Sequence, residues 1–186
     1  KNIKSFFLKK KNSPTIVKKR FVEDINKTKV LGVYSINDQS LYKTEEYKFN
    51  NWLRKEIPKN DLVIVSDYGH GLISNNSAKL ILKKSKFLAV NTQLNASNAG
   101  YHVISKYKGA DMAIINETEL RQELRNKIDG VDILIKQISG SKLSLSIISP
   151  TFHYLIFIQR TRMFITSSYS NYTTIDILRC WKIITA

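Results

Sequence analysis

Short apolar runs that end in polar residues recur through the middle of the chain. The first, Leu62–Val65, stops at Ser66, Asp67 and a Gly-x-Gly turn, and similar runs occupy 87–92 and 110–115. A short continuous apolar run bounded by turn residues is typical of a strand buried on both faces, as in parallel sheets covered by helices. The pattern therefore predicts three buried strands, each followed by polar side chains.

Helical patterns separate and follow these strands. Charged and apolar residues mix over 43–57, 75–84 and 117–127 in a way that suits amphipathic helices. Asn116 is a good N-cap for the last of them, and the acidic residues after it lie where the helix dipole favours them. The alternation predicts an α/β fold with a parallel sheet. Ligands of such sheets bind outside the carboxyl ends of the strands, so we expect the polar strand ends to converge there.

An antiparallel hairpin is predicted ahead of the first helix. Residues 15–22 and 29–36 are rich in β-branched side chains, and residues 24–27 between them supply turn chemistry. Two interpretations remain open for its basic side chains. The hairpin is either an edge hairpin with a solvated basic face, or a lid strand whose Lys18 and Arg20 face an anionic substrate.

The net charge of +15 raises the question of nucleic-acid binding. Lysines are scattered through the first 140 residues beside Asn, Ile and Tyr, a mixture typical of AT-rich coding sequence. The chain carries no zinc-finger, RNP or helix-turn-helix pattern. The charge is the only argument for nucleic-acid binding, and a phosphorylated small molecule would also be attracted by it.

Other classes of protein are disfavoured by what the sequence lacks. No apolar run approaches the ~20 residues of a membrane span. The single cysteine, Cys180, excludes an internal disulfide framework and fits a reducing, cytoplasmic setting. The three histidines, His70, His102 and His153, show no metal-binding spacing, and neither a Walker A loop nor a G-x-S-x-G elbow is present.

Two motifs resemble those of the PfkB/ribokinase-like sugar kinases. Residues 65–71, Val-Ser-Asp-Tyr-Gly-His-Gly, resemble the family's S-D-Y-G-K-G segment, and residues 116–119, Asn-Glu-Thr-Glu, match its N-x-x-E motif. The hairpin at 14–37 resembles the lid strands that precede them. The nearest subgroup is the heptose-7-phosphate kinase part of bifunctional ADP-heptose synthases, with related lipopolysaccharide-sugar kinase/nucleotidyltransferase proteins. The resemblance covers roughly 13–140, and residues 1–12 form a basic linker before it.

This resemblance implies a ribokinase-like fold, a β-hairpin lid, and ATP-dependent phosphorylation of a sugar or sugar-phosphate hydroxyl. By analogy, Asn116 and Glu119 would help to hold Mg²⁺ and the phosphates of ATP, largely through water. The lid would supply Lys18 or Arg20 to an anionic sugar. The residues assigned to the substrate edge are Lys18, Arg20, Asp67, Tyr68, Gly69, His70, Gly71 and Asn91. It further implies a homodimer through the lid strands and an upstream nucleotidyltransferase domain.

Purely structural roles remain open for several of these residues. Asn116 suits a helix cap, Glu117 and Glu119 suit a solvated first turn, and Asp67 suits an Asx-turn. The family pattern is also broken at two points, because His70 replaces a lysine and residues 91–93, Asn-Thr-Gln, replace D-P-K. A neutral histidine cannot meet phosphate as a fixed cation.

The carboxy-terminal kinase signature, D-T-x-G-A-G-D, is not found in this sequence, and neither is the Gly-Gly sugar-binding motif expected before the lid. The last Asp of that signature would be the general base. From 141 to 186 the only acidic residue is Asp176, and codons for Arg179, Cys180 and Trp181 read one base later can encode Gly-Ala-Gly. We therefore hypothesise that residues 141–186 are a frameshifted tail, which the coding DNA would test, and that the domain is incomplete.

A chain without this signature would have little or no kinase activity. The lead interpretation is an inactive fragment of a carbohydrate kinase. The alternatives are a non-catalytic remnant that binds a sugar phosphate or nucleotide and, less favoured, a basic nucleic-acid-binding protein.

Overall fold

The computed structural model describes residues 4–94, 98, 104–139, 144–148, 153–159, 162–167 and 181–185. The strands are β1 Val17–Val22, β2 Lys29–Ser35, β3 Leu62–Asp67, β4 Leu88–Thr92, β5 Met112–Asn116, β6 Ser144–Ile148, β7 His153–Gln159, β8 Arg162–Ser167 and β9 Trp181–Thr185. The helices are α1 Lys43–Glu56, α2 Asn75–Lys84, α3 Glu117–Leu124 and α4 Val131–Ser139, with 3₁₀ turns at Ile57–Lys59 and Ile104–Tyr107.

The strands form two sheets. β1 and β2 pair antiparallel as an isolated hairpin. The other seven form one sheet in the order β8-β7-β6-β5-β4-β3-β9, in which β9, β3, β4, β5 and β6 run parallel. β7 and β8 extend it antiparallel at one side. The predicted fold class, a mostly parallel sheet flanked by helices with a separate hairpin, is confirmed.

The core lies where α1, α2 and α3 cover the central strands. Along β3, Val63 and Val65 are fully buried, while alternate residues on the other face stay partly exposed. Leu53 of α1, Ile81 of α2 and Leu120 of α3 have no exposed surface and belong to the same apolar cluster. Burial of this kind is the main favourable term in folding, at roughly 25 cal/mol per Å² of apolar surface.

The elements predicted from the sequence lie within two residues of their expected bounds, except at the end of α3. α3 was expected over 117–127 but ends at Leu124, because Arg125 takes a left-handed conformation with φ of 51°. Its backbone N–H donates to the carbonyls of Arg121 and Gln122, which closes the last turn. A left-handed arginine carries no sequence signal comparable with a glycine cap.

The sheet continues beyond residue 140, since β6 to β9 pair in register with β5 and β3. The domain boundary at 140 and the frameshift hypothesis stay predictions, because strand pairing carries no information about the coding frame. Within the described residues, no helix has the length and apolar character needed to cross a bilayer.

Candidate functional site

The polar ends of three parallel strands lie along one edge of the sheet. Asp67 ends β3 opposite Thr92 of β4, and Asn91 is opposite Ile114, two residues before the end of β5 at Asn116. Because paired parallel strands share direction, these ends face the same region. The edge predicted from the sequence therefore exists.

Asp67 is turned into the protein rather than towards the edge. Its carboxylate is 1% exposed, and Oδ2 accepts from Lys106 Nζ at 2.9 Å and from the Tyr107 hydroxyl at 2.5 Å. Its Oδ1 accepts from the backbone N–H of Gly69 at 3.0 Å, which is the Asx-turn that the sequence left open. A contact between Asp67 and substrate stays a prediction.

Lys106 and Tyr107 form the other side of this buried cluster, and neither belongs to a motif that would have singled it out. Lys106 Nζ also donates to the carbonyl of Ile73 at 2.5 Å. Burial, and next the negative charge of Asp67, raise the pKa of Tyr107 well above its ordinary value, so the phenol stays neutral. The cluster thus pairs one carboxylate with one ammonium and one neutral donor.

The turn after Asp67 depends on two glycines in left-handed backbone conformations. Gly69 has φ of 74° and Gly71 has φ of 81°. A Cβ on Gly71 would lie 2.0 Å from the carbonyl oxygen of Gln39, and Gly71 itself accepts from Leu41 N at 3.3 Å. Gly71 is therefore required both by its conformation and by close approach of the chain that follows β2.

His70 is buried against the segment that follows the hairpin. The residue is 7% exposed, and its Nδ1 lies 2.8 Å from Asp38 Oδ1. Its Nε2 is also buried and has no hydrogen-bond partner among the described residues. Tyr68 lies beside it, with 6.4 Å between the ring centroids and an interplanar angle of 13°. Where the kinase motif has a lysine, this turn therefore holds a buried histidine ring instead of a free cation.

Lys10 joins the amino-terminal segment to the same place. Its ammonium donates to the carbonyl of Asn37 at 2.6 Å, to that of Gln39, and to that of His70 at 3.4 Å. Burial lowers the pKa of Lys10 from its ordinary value, while the carboxylates of Asp38 and Glu45 oppose that change. The segment after β2 is thus held between Lys10 and the 69–71 turn.

Side-chain amides tie the strand ends to each other. Asn91 donates from Nδ2 to the carbonyl of Ile114 at 2.8 Å, across β4 and β5. Asn98, which the sequence analysis did not single out, donates to the carbonyls of Tyr68 at 3.0 Å and Gln93 at 2.9 Å. These bonds fix the loops after β3 and β4 relative to one another.

Asn116 and Glu119 form a capping box at the start of α3. Asn116 Oδ1 accepts from Glu119 N at 2.9 Å, and Glu119 Oε2 accepts from Asn116 N at 2.8 Å. Glu119 Oε1 accepts from Leu94 N at 2.9 Å, which links α3 to the loop after β4. The predicted cap is confirmed, and the predicted role with phosphates is compatible with it but untested.

The hairpin brings one basic face to this edge. Lys18 pairs with Tyr34 and Arg20 with Gly32, so these four residues share a face, while Lys19 lies on the opposite face. Lys18 Nζ is 6.0 Å from the centroid of the Tyr68 ring. Of the two predicted lid residues, Lys18 therefore meets the strand-end turn directly, and Arg20 lies two residues further along the same face.

No clustered set of metal-binding side chains accompanies these residues. Within the described part of the chain, no group of three or more His, Cys, Asp or Glu side chains is placed to hold a metal ion. The predicted contact of Asn116 and Glu119 with Mg²⁺ through water stays a prediction.

The chain matches no protein-family model and no curated protein sequence. Among solved structures, it resembles a point mutant of phosphofructokinase-2 from Escherichia coli, with a TM-score of 0.53, 8% identity, and coverage of 76% of this chain and 48% of that one. It also resembles phosphofructokinase-2 from Escherichia coli in complex with potassium, with a TM-score of 0.51, 8% identity, and coverage of 74% and 46%. A third structure, phosphomethylpyrimidine kinase from Clostridium difficile, gives a TM-score of 0.47 at 16% identity, with coverage of 78% and 67%.

The chain therefore shares the fold of the phosphofructokinase-2 structures, which is the ribokinase-like fold that the sequence resemblance implied. It spans about half the length of the phosphofructokinase-2 chains that it matches. A structural match at such low sequence identity establishes the fold alone. Substrate and activity have to be argued from the residues themselves.

We predict that Gly71→Ala destabilises the protein far more than Gly109→Ala. Both glycines have positive φ, which costs an alanine about 1–2 kcal/mol, but an added Cβ at Gly109 meets nothing within 4 Å. The clash with Gln39 should add about 2 kcal/mol or more to the Gly71 variant. Urea unfolding of both variants measures this, and equal losses would contradict the close approach described here.

A second prediction concerns alkaline pH. The folded pKa of Tyr107 lies above its unfolded value near 10, so its contribution to stability is complete below that pH and is lost as pH rises above it. Between pH 10 and 11, Tyr107 should lower the unfolding free energy of the parent by up to about 1.4 kcal/mol per pH unit. Tyr107→Phe lacks this contribution, so its unfolding free energy should fall less steeply with pH by that amount. The matched control is Tyr47→Phe, at an exposed tyrosine, which should keep the parental slope. Identical slopes in all three proteins would rule out a buried neutral phenol.

Proposed function

We propose that this chain is part of an ATP-dependent carbohydrate kinase of the PfkB type. Its substrate would be a sugar phosphate, with heptose 7-phosphate as the first candidate, bound between the hairpin and the strand ends. The observation that carries this proposal is the Lys18 face of the hairpin, which meets the 68–71 turn at the carboxyl ends of parallel strands. The kinase fold supports the assignment.

An anionic sugar suits the charge on that face of the hairpin. The pKa of Tyr34 is lowered, first by its hydrogen bond from Lys29 and then by the positive charges of Lys29, Arg20 and Lys18. Three cations, Lys18, Arg20 and Lys29, thus act on this phenol and make this side of the hairpin positive. The same potential would favour a sugar phosphate over a neutral sugar.

On the nucleotide side, Asn116 and Glu119 would support Mg²⁺ through water. Each of the three oxygens described above accepts one backbone N–H and keeps a further lone pair, which could accept a hydrogen bond from a metal-bound water. When bound, the ion would neutralise charge on the β- and γ-phosphates. The part played by Asn116 and Glu119 is to hold the start of α3 at a fixed position beside the loop after β4.

Phosphoryl transfer also needs a base and an anion hole. The D-T-x-G-A-G-D signature that would supply both is missing from the sequence. We therefore propose binding without efficient turnover, in the cytoplasm, with an upstream nucleotidyltransferase domain as in the bifunctional proteins that the motifs resemble. A non-catalytic sugar-phosphate or nucleotide-binding remnant is the alternative.

Calorimetric titration with heptose 7-phosphate tests the site. Lys18→Gln should weaken binding about threefold, as expected for the loss of one exposed charge contact, and the pair Lys18→Gln and Arg20→Gln about tenfold. Lys19→Gln, which removes the same charge from the opposite face, should leave affinity unchanged. An equal loss in the Lys19 variant would show that net charge, and not the hairpin face, attracts the ligand.

The same proteins should release no sugar bisphosphate above background with ATP and Mg²⁺. Robust turnover would overturn the assignment as an inactive fragment. Binding of both ATP and heptose 7-phosphate without turnover is the expected result, binding of only one of them would favour the remnant interpretation, and absence of binding to either would refute both.

The face of the hairpin opposite Lys18 and Arg20 supports a homodimer. Val17, Phe21, Leu31 and Val33 lie there on neighbouring positions of β1 and β2 and are all exposed. Four exposed apolar side chains on one face of a two-stranded sheet are typical of an interface, and a second copy presents the same face. We propose that two hairpins pack through these residues.

Sedimentation velocity tests the dimer. The parent chain should sediment as a dimer at micromolar concentration, and Phe21→Lys should shift it to monomer. Ile25→Lys adds the same charge in the exposed turn of the hairpin and should stay dimeric. A monomeric parent chain would contradict the proposal.

A further inference from the structure

More than half of the net positive charge lies in the first 60 residues. Residues 1–60 hold 15 Lys and Arg against 6 Asp and Glu, residues 61–139 hold 10 against 8, and residues 140–186 hold 5 against 1. The excess belongs to the amino-terminal segment, the hairpin and α1, so its arrangement there needs a physical explanation.

Part of this charge lines a concave surface between residues 6–12 and α1, which we call the α1 trough. One section has a volume of about 910 Å³, and an adjoining section of about 510 Å³ shares Phe7, Leu8 and Lys48 with it. Together their linings contain five lysines, namely Lys9, Lys11, Lys43, Lys48 and Lys55. Within the described residues, none of these ammoniums forms a salt bridge with a carboxylate.

The acidic residue in this lining, Glu45, is already engaged by backbone donors. Its Oε1 accepts from Lys11 N at 2.6 Å, and its Oε2 accepts from Tyr42 N at 3.0 Å. These bonds fasten the amino-terminal segment to the start of α1. They also stabilise the carboxylate where it is, while the lysine side chains stay exposed around it.

Aromatic rings alternate with the lysines along the trough. Phe7 is 85% exposed and Tyr42 is 53% exposed. Phe6 stacks on Trp52 with 4.5 Å between ring centroids and an interplanar angle of 11°, and both rings line the smaller section. An exposed aromatic face beside unpaired ammoniums is the combination that binds unstacked bases and their phosphates.

We infer that the α1 trough binds single-stranded nucleic acid, with phosphates at the lysines and bases stacked on Phe7 and Tyr42. α1 has 14 residues and is about 21 Å long, which matches a few nucleotides of extended strand. A duplex hides the faces of its bases, so it would use the lysines alone. Neither lining includes the residues of the candidate sugar site, and the inference is independent of the proposed kinase function.

Fluorescence anisotropy with a labelled 12-nucleotide oligothymidylate tests the charge contacts. The triple variant Lys9→Glu, Lys43→Glu, Lys48→Glu should bind at least about tenfold more weakly, with a flatter dependence of affinity on salt. The matched control is Lys79→Glu, Lys83→Glu, Lys84→Glu, three exposed lysines of α2 with the same change in net charge. It should stay within about twofold of the parent. An equal loss in the control, or no binding by the parent chain, would overturn the inference.

The stacking contribution is tested separately with Phe7→Ala and Tyr42→Ala together. This variant should lose about tenfold in affinity for the oligothymidylate while keeping the parental salt dependence, because no charge is removed. A 12-base-pair duplex should bind more weakly than the single strand and should not respond to the variant. Unchanged single-strand affinity in this variant, or a preference for duplex, would refute stacking in the trough.

Discussion

The buried pair of Asp67 and Lys106 is the interaction on which the candidate site depends. Asp67 ends β3, and Lys106 reaches it from a 3₁₀ turn 39 residues further along the chain. A lone carboxylate with this burial would be costly, and the ammonium with the Tyr107 hydroxyl offsets that cost. Because the other carboxylate oxygen holds Gly69 N, the shape of the turn that follows is set by the same pair.

Close contacts with that turn hold the segment at the base of the hairpin in place. Gly71 lies against the carbonyl of Gln39, His70 pairs with Asp38, and Lys10 binds the carbonyls on both sides of the contact. The hairpin has few contacts of its own with the main sheet, so its base is where its direction is fixed. A sugar site between hairpin and sheet would therefore depend on residues that never touch the sugar.

Local patterns in the sequence were sufficient for the parts of this structure that local forces decide. The apolar runs of β3, β4 and β5, the β-branched segments of the hairpin and the cap at Asn116 follow from local composition and side-chain chemistry, and each is present. The partners of Asp67 and His70 could not be found in this way, because Lys106, Asp38 and Lys10 are far away in sequence and carry no motif. The alternation of lysine with aromatic residues along α1 also appears only when the amino-terminal segment is placed beside the helix.

The position of β9 has a consequence for how the chain is made. Residues 181–185 pair with one side of β3, the strand that ends in Asp67, and complete its hydrogen bonding there. At about 5–20 residues per second, synthesis reaches them roughly 6–25 s after β3 has been made. During that interval β3 presents an unpaired edge to the cell, and such edges readily recruit foreign strands. β3, which carries Asp67 to the candidate site, is thus the last of its strands to have both edges paired during biosynthesis.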